Sequence, residues 1–118
     1  MKVFQSVYDG AAWSCELPIN APAELVFLFG CEALLEDSEL YQAVCVAFPQ
    51  AQVVGCTTSG EIQADSLYDD SLVLSAVSVE RACICVASQH LAHFDDSESL
   101  GVSLIEGIPK QSLKHVFL

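Results

Sequence analysis

Leu25-Val26-Phe27-Leu28-Phe29 is the densest apolar run in the chain. It shows no alternation, so it predicts a strand covered on both faces. Residues 2–8 predict an earlier strand, with Val3 and Gln5 alternating, and Asp9-Gly10 a turn after it. Residues 11–17 fit either a short helix or an extended segment, and Pro18, Asn20 and Pro22 mark a loop. After residues 30–36, which read as a loop or one loose turn, Asp37 or Ser38 caps a helix running to about Phe48. Leu40, Ala43, Val44, Ala47 and Phe48 recur at helical spacing as its buried face. Pro49 stops it by disfavouring helical geometry at Phe48.

Residues 52–56 then predict a strand. Strand, helix and strand of these lengths imply a parallel pair joined by a right-handed crossover. Residues 72–79 and 82–88 predict two further strands, with Glu80-Arg81 as the reversal between them. Asp95-Asp96-Ser97-Glu98 opens a second helix, with Asp95 and Glu98 spaced as a capping box. Leu100, Leu104 and Ile108 form its apolar face, and Gly107 and Pro109 end it. His115-Val116-Phe117-Leu118 echoes Val26-Phe27-Leu28 as the start of another strand. The expectation is an α/β fold, a mixed sheet with helices packed on its faces. A last strand interrupted in mid-pattern marks an incomplete module, a fragment of a longer protein. Its unpaired sheet edges open a route to a homodimer.

Charge narrows the function. The 118 residues form one domain at most. Sixteen acids against four bases give −12, which opposes nucleic acid and anionic membrane, since no basic surface can neutralise phosphates. Acidity also keeps an apolar chain soluble at 53% hydrophobic residues and a mean hydropathy of +0.44. No apolar run approaches the roughly 20 residues of a membrane helix, and residues 1–6 lack the core of a signal peptide. The expected location is cytoplasmic. There, the six cysteines read as free, buried thiols rather than disulfides.

The chemistry concentrates in Val53-Val54-Gly55-Cys56-Thr57-Thr58-Ser59-Gly60-Glu61-Ile62. An apolar strand stops at Gly55, small polar side chains follow, and a glycine and a carboxylate close the run. The glycines allow a tight turn or close approach, and the hydroxyls can donate and accept. As a structural element, the run is a polar loop capping its own backbone. As a site, it lies at the C-terminal edge of a parallel strand pair, where ligands collect in open α/β sheets.

This run, with the strand Ala23-Glu24-Leu25-Val26-Phe27-Leu28-Phe29-Gly30, the preceding Phe48-Pro49-Gln50-Ala51-Gln52, and Asp69-Asp70-Ser71-Leu72-Val73-Leu74-Ser75-Ala76-Val77, resembles the FIST domain. That family comprises bacterial and eukaryotic sensory modules. The resemblance covers residues 20–80 and implies an N-terminal FIST module within residues 1–118. It implies signal transduction through a small ligand, with amino acids as the proposed class. The partner would be a signalling output domain or a kinase- or cyclase-type protein. A related branch, the NosP proteins, implies haem and nitric-oxide sensing as the alternative. The ligand-binding residues expected are Gly55, Cys56, Thr57, Thr58, Ser59, Gly60 and Glu61.

Other constellations carry less. Cys56 as a nucleophile would need a base, usually His, and His90, His93 and His115 belong to no recognisable triad motif. No catalytic residue is assigned, and the chain reads as a non-enzyme. Cys56 also fits a redox-sensing thiol. Cys83 and Cys85, two apart, share a strand face, without the partners that a metal site needs, and no metal is assigned. One histidine would suffice as a haem ligand; otherwise His90 and His93 are a surface loop pair. Glu61, Asp65, Asp69 and Asp70 lack calcium-loop spacing and read as a solvated loop. Arg81, the only arginine, either clamps a ligand carboxylate or pairs with one of the acids. Lysine does not follow Gly60, so there is no phosphate loop.

Overall fold

The computed structural model describes residues 1–80, 83–111 and 113–117, in two units, Met1–Ile84 and Cys85–Leu118. In the first unit, β1 (Lys2–Tyr8), β2 (Leu25–Gly30), β3 (Gln52–Thr57) and β6 (Leu72–Ser78) form one sheet, in the order β1-β6-β2-β3. β2 and β3 are parallel, whereas β6 runs antiparallel to both β1 and β2. The sheet is mixed and the fold α/β, as expected. A second ribbon, β4 (Glu61–Gln63) against β5 (Ser66–Tyr68), is antiparallel and was not anticipated.

Register explains the core. Val26 sits opposite Ala76 and Leu28 opposite Leu74, so these side chains share one face. They bury with Leu72, and with Val44, Ala47 and Phe48 from and just beyond α2 (Ser38–Ala47). Phe48 also meets Phe4, with ring centroids 5.9 Å apart. Each fully buried aliphatic contributes about 1.5–3 kcal/mol. Ala43, placed by its spacing on the buried face, is exposed. The opposite sheet face is less covered than the apolar run suggests. Leu25 and Phe27 are half-buried and Phe29 is exposed, the two phenylalanines stacking at 6.1 Å.

α2 starts where a short polar side chain satisfies free amides. The Asp37 carboxylate accepts from Glu39 N at 2.8 Å and Leu40 N at 3.1 Å. α1 (Glu32–Leu35) is the single turn between β2 and α2. Residues 11–17 form no helix. Ser14 N donates to Val7 O at 2.7 Å, and Trp13 bridges Tyr8.

The second unit contains a 3-10 turn (Leu91–His93) and α3 (Ser97–Glu106). Asp96, not Asp95, caps α3 and accepts from Ser99 N at 2.7 Å. The Ser99 hydroxyl and then its amide hold the Asp96 carboxyl below the usual range. Residues 83–88 and 113–117 pair with no strand, against expectation, because an apolar run becomes a strand only with a ladder partner. Ala82, Arg81 and Leu118 lie outside the described residues. The cysteines are free but not buried: Cys15, Cys56, Cys83 and Cys85 are exposed, and Cys31 and Cys45 are half-buried. Small thiols on exposed backbone have no cavity to enter. With no strand over 83–88, Cys83 and Cys85 have no common strand face. No described helix is long and apolar enough to cross a membrane.

Removing the α2 cap tests how far that helix depends on it. Asp37→Ala should cost about 1 kcal/mol and Asp37→Asn only a few tenths, read as a lower urea midpoint at unchanged slope.

Candidate functional site

β3 continues through Thr57, so Gly55, Cys56 and Thr57 are strand residues and the loop proper is Thr58-Ser59-Gly60. Strand alternation separates the expected set. Gly55 sits opposite Leu28 and Thr57 opposite Gly30 on one face, whereas Cys56 sits opposite Phe29 on the other. Gly55 serves the sheet itself: a Cβ there would lie 1.9 Å from the Leu28 carbonyl oxygen. Gly60 has φ +148, a backbone state that favours glycine. Cys56, Thr57 and Ser59 are exposed, and Thr58 is half-buried.

Glu61 begins β4 and is only 4% exposed. Its two carboxylate oxygens accept from the Thr58 and Ser71 hydroxyls, one each. Ser71, at 1% exposed, is the site residue that the sequence reading passed over. It sits directly before β6, and its carbonyl accepts from Cys31 N at 3.0 Å. Thr58 N in turn donates to Gly30 O at 3.0 Å. A Cβ on Gly30 would come within 2.4 Å of the Ser71 carbonyl oxygen. The ends of β2 and β3, the start of β4 and the approach to β6 therefore meet around one buried carboxylate. Burying a carboxylate is costly unless it is hydrogen-bonded, and the two hydroxyls meet that need. Among the described residues no buried side-chain nitrogen or oxygen is left unpaired.

A family model for the FIST N domain matches residues 24–118. The chain belongs to the FIST N domain family. FIST domains are sensory, small-ligand-binding domains of signalling proteins, and the match spans β2, β3 and the Glu61 cluster. No curated protein and no solved structure matches the chain.

The histidines that haem would require lie in the second unit. His90 and His93 are exposed on the 3-10 turn, their rings 5.2 Å apart, and His90 Nδ1 accepts from Ala92 N at 3.3 Å. Leu91 and Ala92 between them are exposed too, so this turn builds no apolar slot for a porphyrin. His115 is also exposed. These residues do not fit haem. Asp65, Asp69 and Asp70 are exposed, and no described group of three or more acids, histidines or cysteines could hold a metal ion.

Glu61→Ala removes the acceptor of the buried Ser71 hydroxyl. It should cost about 1–3 kcal/mol and speed amide exchange across residues 61–68. Glu61→Gln, which keeps an acceptor oxygen, should lose less. A Glu61→Ala variant with wild-type urea midpoint and exchange would show that the cluster holds nothing.

Proposed function

We propose that this FIST N domain senses a small amino-acid-like ligand at the C-terminal ends of β2 and β3. Exposed Thr57 and Ser59 make the polar contacts, and Gly55, Cys56, Thr58, Gly60 and Glu61 complete the loop that positions them. The Glu61 cluster carries the reading. A doubly hydrogen-bonded, buried carboxylate fixes Thr58 and with it the backbone of its exposed neighbours. Preorganised polar groups at a sheet edge are what a small ligand needs to bind without a large ordering cost.

Charge favours an amino-acid-like ligand. Every charged side chain between residues 3 and 80 is acidic, which suits an ammonium group. The ligand's carboxylate would be taken by hydroxyls and backbone amides. Arg81, the alternative clamp, lies outside the described residues. Binding would favour one arrangement of the domain and so bias an output domain or a kinase- or cyclase-type partner, as a population shift.

Native mass spectrometry of the purified chain, beside its ultraviolet–visible spectrum, identifies any retained ligand. Calorimetric titration with an amino-acid panel then gives affinity. The Thr57→Ala/Ser59→Ala double variant should bind at least about tenfold more weakly, a loss of about 1.4 kcal/mol. Its melting temperature should be unchanged, because both side chains are exposed. Unchanged affinity in a folded double variant removes this loop from the site.

A further inference from the structure

A second surface of the first unit has the form of a docking groove. Segment 13–19 runs alongside α2 and leaves a shallow, widely open trough of about 480 Å³. Trp13, Leu17 and Ile19 line one wall and Val46 the other, with Glu16 and Glu39 among its lining residues. Ile19 is 79% exposed and Val46 61%, whereas Trp13 and Leu17 are half-buried against the core, so each wall has one uncovered apolar side chain.

The segment is tied down at both ends. At its start, the Ser6 hydroxyl donates to Cys15 O at 2.7 Å, and Val7 N donates to the Ser14 hydroxyl at 3.0 Å. At its far end, the backbone N–H of Asn20, which has φ 53, donates to Val46 O at 3.3 Å, and Ala21 N donates to Ala47 O at 2.8 Å. Asparagine tolerates this left-handed backbone. These last bonds use carbonyls at the C-terminal end of α2, which a helix otherwise leaves unsatisfied. The groove therefore exists before anything enters it.

We propose that this groove docks a basic amphipathic segment of a signalling partner. Its apolar side chains would lie on Trp13, Ile19 and Val46, and its lysines or arginines beside Glu16 and Glu39. Charge selects the occupant. No lysine, arginine or histidine occurs between residues 3 and 80, so the chain offers no cation of its own from that stretch. An open trough suits a helix laid along it better than a small molecule, which seeks enclosure.

Trp13 is the only tryptophan, so its fluorescence reports occupancy of this groove. Three synthetic helical peptides, sharing one Leu/Ile/Phe face and differing only in a Lys/Arg, neutral or Glu polar face, are titrated into the full chain. The basic peptide should shift Trp13 emission to the blue and bind at least about tenfold more tightly than the neutral one, a difference of about 1.4 kcal/mol. The acidic peptide should give no response. Val46→Asp separates docking from general attraction, since it makes the protein more negative yet spoils the apolar wall. Docking predicts at least about tenfold weaker binding in that variant, with circular dichroism unchanged. Glu16→Gln/Glu39→Gln should weaken the basic peptide and leave the neutral one unaffected. An unshifted Trp13, equal response to the acidic peptide, or binding undiminished by Val46→Asp would overturn the proposal.

Discussion

β2 is hydrogen-bonded on both sides, and two glycines set how closely its neighbours approach. Opposite Leu28, Gly55 lets β3 come where a Cβ would nearly coincide with a carbonyl oxygen, at 1.9 Å. At the strand's own end, Gly30 lets the Ser71 backbone approach to where a Cβ would lie 2.4 Å from its oxygen. No flexible side-chain tip could swing aside at either place, because the obstacle is backbone. The sheet is therefore pinched at the C-terminal ends of β2 and β3. There the amides of Cys31 and Thr58 find the carbonyls of Ser71 and Gly30.

The pinch gives Glu61 its environment. A carboxylate at 4% exposure persists only because hydroxyls from two different approaches, Thr58 before it in sequence and Ser71 after β5, converge on it. A fully satisfied buried network rigidifies its surroundings. The short β4–β5 ribbon would be marginal by itself. It is anchored at Glu61 on one end and just before β6 on the other. Thr57 and Ser59 flank Thr58, and their side chains remain in solvent.

What the sequence disclosed follows from which signals are local. β1 matched its expected bounds, the α2 cap was one of the two named candidates, and the parallel β2/β3 pair followed from element lengths. Each rests on periodicity or on a cap within four residues. The β4–β5 ribbon was hidden because its strands have three residues each, and its turn places Ala64, not glycine or asparagine, at φ 55. Residues 83–88 have a strand's apolar composition, yet pairing is a long-range property that composition does not report. α3 began one residue later than expected, because Asp95 and Asp96 both precede a suitable first turn and only the geometry chooses Asp96. The Gly55-to-Glu61 run was legible as a polar edge, but Ser71, ten residues beyond Glu61, was not. A serine before an apolar strand looks like any other loop residue until the register brings it to a carboxylate.

The one-sided charge of residues 3–80 bears differently on the two candidate surfaces. At the strand ends, Glu61 is buried with both oxygens occupied and exposed Asp69 lies beside Gly60, so short-range hydroxyl and amide contacts act together with a local negative charge. In the groove, Glu16 and Glu39 act through their charge across solvent, an attraction that salt screens over roughly 10 Å at 0.1 M. A ligand at the first surface would be recognised by the direction of its polar groups. A partner at the second would be gathered by long-range attraction and then selected by the fit of its apolar side chains against Trp13 and Val46. Rising ionic strength should therefore slow docking in the groove more than it weakens small-ligand binding, because the groove gathers its partner across solvent whereas the ligand is held by contact.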